Sequence, residues 1–305
     1  MTVKGNAVNR YLKLVSDSSY RFRVLSKHGF FKRLSDEKYI RKKWKALIGG
    51  TLNLEHPSTY TEKLQWLKLH DRRPVYATMV DKYAARQFVS ERIGEEYLLP
   101  CLGVWDSVDD IPFDTLPDKF VLKCTHDSGS IVVCQDKATF DKKAAKMKLT
   151  KALKCNYFHL SREWPYKNAT PRIIAEPYLV DGETGELRDY KFFTFGGVPK
   201  FMYITKGRRD TGIVTADFFD MDFQHLDMKI DHETADVVPA CPKNFELMQK
   251  FAAKLSEGTP QLRVDFYEID GKLYFGEMTF FHCGGFCEFT PNTWNQTLGD
   301  WIDLP

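Results

Sequence analysis

The sequence predicts an α+β fold, and three observations carry that prediction. Apolar residues recur at helical spacing through much of the first hundred positions, and beyond them short β-branched and aromatic runs alternate with turn residues. Those runs are spaced mostly as hairpins, without the strand–helix–strand alternation of a doubly wound sheet. The 305 residues, 43% of them hydrophobic, are enough for two cored units, because single cores stop growing near ~250–300 residues.

Taken in order, Phe22, Val24, Leu25, Phe30, Phe31, Tyr39, Ile40, Trp44 and Leu47 sit among Arg and Lys at helix-like intervals, and Gly49-Gly50 ends that stretch. Pro57-Ser58-Thr59 offers a new start, with Thr59 or Thr61 as the cap of a helix through Leu67. A further helix is expected over 81–94. Phe120-Val121-Leu122-Lys123 and Ile131-Val132-Val133-Cys134 flank a polar loop and read as a hairpin. A charged helix is expected over 137–155 and an amphipathic one over 243–257, with strands at 172–175, 190–195, 200–205, 261–267 and 273–277. There are no internal repeats and no low-complexity linkers. This divides the chain into a basic, mostly helical region, 1–75, and two mixed units, 76–185 and 186–305.

Charge is unevenly distributed. Residues 1–50 hold 13 Lys and Arg against 3 acids, a net of +10, which leaves −7 for the rest of a chain whose total is +3. Such an end attracts polyanions or an anionic membrane face, or is a solvated helical surface. Nucleic acid is excluded as the main partner, since residues 51–305 are net acidic and carry no base-stacking motif. No apolar run approaches the ~20 residues of a membrane span and no leader pattern is visible, so the expected location is the cytoplasm, with its membrane face a candidate through the basic end. The 7 cysteines form no C-x-x-C pair and read as reduced, mostly buried small side chains. His282, Cys283 and Cys287 are close in sequence but lack a fourth ligand, and read as packing.

Two stretches carry chemistry. Lys123 ends a predicted strand and leads into the small polar loop Cys124 to Ser130, whose backbone could close over phosphates, although no Walker A pattern is present. Arg263-Val264-Asp265 and Gly276-Glu277 lie on two alternating strands joined by Ile269-Asp270-Gly271-Lys272, so Arg263, Asp265 and, after pairing, Glu277 can share one sheet face. Carboxylates in strands that otherwise bury Phe, Tyr and Val are costly unless paired or metal-bound, which favours Mg²⁺ ligation.

The ordered set Asp81-Lys82, Phe120 to Lys123 with His126 to Ser130, Ile174 to Tyr178, Asp189-Tyr190-Lys191, Arg263 to Asp265 and Gly276 to Phe280 resembles an ATP-grasp ligase. More narrowly, it resembles the TupA-like branch of bacterial capsule, O-antigen and teichuronopeptide clusters, from about Pro57 to Pro305. The resemblance implies two α+β subdomains clasping ATP behind a short basic helical segment. It implies ATP contacts from Lys82, Lys123, His126, Ser128, Gly129, Ser130, Glu176, Tyr178 and Lys191, with Glu176 and the Tyr178 backbone as the adenine hinge. Lys191 and Arg263 would be catalytic, and Asp265, Glu277 and Thr279 would hold one or two Mg²⁺ ions. Many relatives carry Asn where Thr279 stands, which puts the second ion in doubt. The implied reaction activates a carboxylate as an acyl phosphate that an amine displaces, joining a uronic acid of a surface polysaccharide or its precursor to an amino acid or small amine.

The carboxylate side of the site is expected at Arg208, Arg209, His282, Gly284 and Gly285, whose glycine N–H groups could approach an anion. The competing reading is a glycosyltransferase that uses the D-x-D triplet Asp220–Asp222. A serine hydrolase is excluded because G-x-S-x-G is absent. The oligomeric state is left open.

Overall fold

A computed structural model describes residues 12–207 and 214–305. Behind a first turn of helix, α1 (Ser18–Lys27) and α2 (Asp36–Leu47) pair over Phe22, Tyr39, Ile40, Trp44, Leu52 and Leu54, a small core of their own. Both start on side-chain caps: Asp17 accepts from the Tyr20 N–H, and Ser35 from Lys38. The helix predicted after Thr59 forms as α3 (Tyr60–His70). Thr59 is its cap and Glu62 closes the reciprocal half of a capping box. The expected 81–94 helix is instead α4 (Val75–Val80) and α5 (Ala85–Ile93). Asp81 interrupts them because its Oδ1 accepts from the Tyr83 and Ala84 N–H groups, an arrangement in which the residue itself is extended.

A four-stranded sheet follows, in the order β1-β4-β2-β3, built from β1 (Gly103–Trp105), β2 (Phe120–Cys124), β3 (Val132–Cys134) and β4 (Ile173–Pro177), all antiparallel. β2 alternates: Phe120, Leu122 and Cys124 point into a core with Leu149 of α6 (Lys142–Leu153), while Val121 and Lys123 face the other way. The charged helix expected from residue 137 starts at 142 because Asp141 caps it.

The second sheet has five antiparallel strands in the order β10-β9-β5-β6-β7, namely β5 (Asp189–Phe195), β6 (Val198–Lys206), β7 (Thr215–Asp220), β9 (Gln261–Ile269) and β10 (Lys272–Thr279). Its inner face presents Phe192, Val264, Phe266, Leu273, Phe275 and Met278, covered by α7 (Phe245–Ser256) through Met248, Phe251 and Leu255. This is the largest core in the protein. β8 (Lys229–Ile230), β11 (Phe289–Thr290) and α8 (Thr293–Asp300) complete the described chain. Strands β1, β7, β8 and β11 and helix α8 are additions to the sequence reading; the strands are short or edge elements with little periodicity of their own. No helix among the described residues is long and apolar enough to cross a membrane.

All cysteines are free, but Cys101, Cys155, Cys241 and Cys283 are exposed and only Cys124, Cys134 and Cys287 buried. The expectation that most are buried fails because these four lie outside the strands and helices that fill the cores.

Candidate active site

The outer face of the large sheet does what an exposed sheet face rarely does: it buries charge. Pairing places Lys191 opposite both Asp265 and Tyr203, with Asp189 two residues along the same face. Glu277 reaches that face through a bulge. The Asp270-Gly271 turn, with φ of 51° and 74°, starts β10 in register, so an unbroken ladder would set Glu277 opposite Val264 and aim it into the core. The register shifts between Phe275 and Glu277, the extra residue being Gly276, and Glu277 then lies opposite Asp265 and Thr279 opposite Arg263. Gly276 also fits the space: a Cβ there would meet the Asp265 carbonyl oxygen at 3.0 Å and the Tyr267 ring at 3.2 Å.

A single guanidinium ties this face together. Arg263 Nε donates to Asp265 Oδ1 at 2.7 Å, Nη2 donates to Asp265 Oδ2 and Glu277 Oε1 at 2.8 Å each, and Nη1 donates to His282 Nδ1 at 2.8 Å. Lys191 Nζ bonds Asp265 Oδ2 and lies 3.3 Å from Asp189 Oδ1. The charges hold one another ionised. Burial alone would lower the pKa of Lys191 and Arg263, yet Asp189 and Asp265 raise that of Lys191, and Asp265, Tyr203 and Glu277 that of Arg263. Burial pushes Glu277 up, but Arg263, Lys82 and Lys191 outweigh it and hold its carboxyl below the ordinary range. His282 is driven well below its usual pKa by burial and by Arg263, so it is neutral, protonated on Nε2 and accepting on Nδ1.

The small sheet faces the same cleft with fewer groups. Lys123 Nζ pairs with Glu176 Oε2 at 2.5 Å, a cross-strand diagonal between β2 and β4. The polar loop is closed on itself: Ser130 Oγ donates to Asp127 Oδ1 at 2.6 Å and accepts from the Cys124 N–H at 2.9 Å. Gly129 bridges the turn at φ 96° with open space where a side chain would stand. Asp81, between α4 and α5, anchors the loop, since its Oδ2 accepts from Thr125 Oγ1 and the next residue, Lys82, donates from Nζ to the Asp127 carbonyl oxygen.

These pieces border one cleft of about 540 Å³, lined among others by Lys82, Lys123, Ser128, Gly129, Ser130, Lys191, Arg263, Glu277, Thr279, His282 and Gly284. Widely separated segments of sequence therefore converge on it. Asp265 lies at its floor beneath Arg263 and Lys191. Glu176 meets the cleft only through its ion pair with Lys123, and three further expected positions lie elsewhere. His126 is buried below the loop, with Nε2 on the Cys155 carbonyl oxygen at 3.2 Å. The Tyr178 hydroxyl accepts from Gln135 Nε2 at 2.8 Å. Gly285 is buried against α3, where a Cβ would come within 2.5 Å of Gln65 Nε2; its lack of a side chain serves packing, while the Gly284 N–H is already used by the Phe281 carbonyl oxygen at 2.8 Å. Arg208 and Arg209 lie outside the described residues.

The donor atoms of His282, Cys283 and Cys287 come within 4.8 Å of one another, though His282 Nδ1 is committed to Arg263 and Cys283 Sγ donates to Asp231 Oδ2 at 3.0 Å. The D-x-D triplet is a turn outside the cleft: Asp220 ends edge strand β7, and its Oδ1 accepts from the Asp222 and Gln224 N–H groups at 3.0 and 2.8 Å. Sequence reasoning missed Glu163, Tyr157, Tyr166, Tyr203 and Asp231, which also line the cleft. The compact run Ser161-Arg162-Glu163-Trp164-Pro165-Tyr166, dense in charged and aromatic residues between helix and strand, was the available signal.

The model of one family, described as TupA-like ATPgrasp, matches residues 62–303. No curated protein matches the chain. Among solved structures, a D-alanine–D-alanine ligase from Bacillus anthracis in complex with ATP aligns at 13% identity and a TM-score of 0.38, covering 67% of this chain and 55% of that one. An L-amino acid ligase from Bacillus licheniformis aligns at 13% identity and a TM-score of 0.42, covering 87% and 55%. The D-alanine–D-alanine ligase from Helicobacter pylori aligns at 12% and 0.39, covering 81% and 70%. The chain thus spans little more than half the length of the two Bacillus ligases.

Proposed function

This chain belongs to the TupA-like ATP-grasp family, and on that premise we propose that it is an ATP-dependent carboxylate–amine ligase working through an acyl phosphate. The observation that supports this best is the cleft itself, where a basic pair, Lys82 and Lys123, and a glycine-containing loop face a carboxylate pair crossed by Arg263 and Lys191. Triphosphate chemistry calls for that combination: cations and backbone N–H groups for the phosphates, and carboxylates for their metal.

In this reading residues 76–185 and 186–305 form the two halves of the clasp, and ATP lies between the two sheets. Lys82, Lys123 and the loop through Ser130 take the phosphates, and the β4 end at Glu176 and Tyr178 takes the adenine and ribose. Mg²⁺ fits the donors present, because Asp265, Glu277 and Thr279 offer oxygen only, and Glu277, its side chain 42% exposed, keeps Oε2 unengaged among the described residues. When bound, the ion neutralises charge on the transferring phosphoryl group. Lys191 and Arg263 do the same from the sheet side, and their fixed ion pairs mean that they need not reorganise as charge develops. His282 orients Arg263 and, being neutral, adds no competing charge.

The carboxylate is placed beside Gly284 and His282, with Arg208 and Arg209 as its further cations. For substrates we propose the uronic acid of a bacterial surface polysaccharide or its precursor, and an amino acid or small amine. The basic first 50 residues would keep the cytoplasmic enzyme near polyanionic glycan or the membrane face. The test is to incubate the protein with ATP, Mg²⁺ and panels of nucleotide-linked uronic acids and amines. ADP and phosphate released only when both substrates are present is the expected result, whereas a nucleoside diphosphate released from the sugar donor without ADP would mark a glycosyltransferase.

A further inference from the structure

Glu163 is a buried carboxylate of the cleft that the phosphate and metal roles leave unused. It follows the helical turn Phe158–Ser161, is 4% exposed and lines the same cleft as Glu277, Tyr157, Tyr166 and Gly284. Its Oε1 accepts from Ser161 Oγ, and among the described residues no Lys, Arg or His forms an ion pair with it. Of the other carboxylates there, Asp265 and Asp189 are answered by Lys191 and Glu277 by Arg263. Asp127 accepts from the Ser130 hydroxyl as Glu163 does from Ser161 but lies in the phosphate loop, and Asp231, which takes the Cys283 thiol, is exposed to water. Burying one carboxylate costs several kcal/mol of lost hydration. A carboxylate placed so, and open only to a ligand cleft, calls for a cation that arrives with the ligand.

The position is held firmly. Arg162, itself 1% exposed and at φ 57°, donates from Nη2 to the Phe31 and Leu34 carbonyl oxygens at 2.9 and 3.2 Å. Tyr39 Oη and Lys43 Nζ donate to the Leu160 carbonyl oxygen at 2.7 and 3.0 Å. Helix α2 and the segment joining it to α1, so far without a chemical role, thus clamp the backbone on one side of Glu163. From α3, Lys68 is committed to the Gly284 carbonyl oxygen and Gln65 Oε1. Lys68, Lys43 and Arg263 act on Glu163 only through space: burial raises its pKa above the ordinary carboxylate value, and these three charges with the Ser161 hydroxyl restrain the rise. Tyr157 and Tyr166, their ring centroids 5.0 Å apart, add aromatic wall of the kind that receives an ammonium group.

We propose that Glu163, walled by Tyr157 and Tyr166, is the subsite for the ammonium group of the amine substrate and accepts its first proton. This rests on the ligase reading. The ammonium gives one proton to a Glu163 oxygen, and the freed lone pair forms a C–N bond to the acyl phosphate carbonyl carbon. The C–O bond to phosphate breaks with its electron pair left on the phosphate oxygen, and the second nitrogen proton departs with that phosphate. The products are the amide, hydrogen phosphate and protonated Glu163, which returns its proton to water.

Two measurements test this separately from the ligase reading. Saturation-transfer NMR on the protein loaded with Mg²⁺ and a non-hydrolysable ATP analogue needs no carboxylate, and uses ethanolamine and glycinamide as probes with ethylene glycol as the uncharged control. The ammonium probes should contact the wild type, and their affinity should fall at least tenfold in Glu163→Gln while nucleotide affinity is unchanged. Glu163→Asp, which keeps the charge, should lose less and guards against a folding defect. In turnover with the carboxylate found above, Glu163→Gln should lose amide formation from ammonium-forming amines but keep hydroxamate formation from hydroxylamine, which is neutral near pH 7.5 and needs no base. Ammonium probes that miss the wild type, or bind Glu163→Gln equally well, overturn the inference whatever the turnover assay gives. No carboxylate-dependent ADP with the ammonium contact intact overturns the ligase reading alone.

Discussion

The two sheets that border the cleft reach it by different means. The five-stranded sheet contributes Arg263, Asp265, Lys191 and Glu277 from mid-strand, where β-pairing and a guanidinium with three partners fix each atom. The four-stranded sheet contributes one ion pair, Lys123–Glu176, and a loop held by Ser130 and Asp127. Reacting groups tolerate misplacement poorly, and a large core behind the sheet guarantees their geometry. A loop on a smaller core can shift as phosphates enter and leave, which suits binding more than chemistry. The difference predicts that damage to the large sheet should appear in turnover, and damage to the small one in nucleotide affinity.

The largest effect follows from removing charge on the reacting side. Glu277→Gln keeps the shape and one acceptor for Arg263, yet should lower kcat by roughly 100- to 1000-fold, the scale of losing one preorganised electrostatic group. Because Arg263 retains its bidentate hold on Asp265, thermal stability should change little. A variant that keeps wild-type kcat but loses ATP affinity would reverse the assignment of the two sheets. On the small sheet, Lys123→Met should weaken Mg-ATP binding by about 1.5–3 kcal/mol, the worth of a charge-assisted contact, with kcat at saturating ATP nearly preserved. Calorimetry reads the first and steady-state kinetics the second; unchanged affinity in a folded variant removes Lys123 from the nucleotide site.

How far this contrast was legible in the sequence depended on what each residue needed from its surroundings. The strands carrying Lys123, Lys191, Arg263 and Asp265 announce themselves because alternation and β-branched content are local properties. Glu277 could be seen as a candidate, but the bulge at Gly276 that turns it from the core to the cleft is a register effect, fixed by the partner strand and not by the residues beside it. Glu163 was invisible for a similar reason. It faces the cleft because Arg162 is gripped by carbonyl oxygens about 130 residues earlier in the chain. Gly285 carried the opposite error, a glycine read as an anion cradle whose demand comes from Gln65 on a distant helix.

A third prediction probes the region between the sheets and the amino-terminal helices. Burial lowers the pKa of Lys68 to about 7, with Glu163 opposing the shift. An amine with a native pKa below its unfolded value is charged more readily in the unfolded chain. Its penalty is therefore absent above about pH 10.5, grows as pH falls and is complete below about pH 7. Stability should accordingly rise with pH between about 7 and 10, by at most about 1.4 kcal/mol per pH unit from this group. Lys43, lowered to about 8 by burial with Glu163 again opposing the shift, adds to the same slope over the upper part of the range. Denaturant titrations of Lys68→Met at pH 7.5 and 9.5 should show a shallower slope than the wild type; an equal slope would mean that Lys68 stays charged throughout.

The smallest effect is expected where the competing reading expects the largest. Asp220 and Asp222 lie at the tip of edge strand β7, outside the cleft, and Asp220 already spends Oδ1 on the N–H groups of its own turn. An asparagine oxygen can accept the same two bonds, so Asp220→Asn should change stability by no more than about 0.5 kcal/mol, the usual span for a surface position whose local bonds survive. Asp222→Asn removes an exposed charge whose carboxylate has no side-chain partner among the described residues, and should do less. Neither should alter carboxylate-dependent ADP release, because a metal held at this tip would have no route to groups on the opposite strands of the sheet. If both substitutions abolish turnover while Glu277→Gln leaves it intact, the chemistry belongs to the edge of the sheet and to glycosyl transfer, and the contrast between the two sheets loses its meaning.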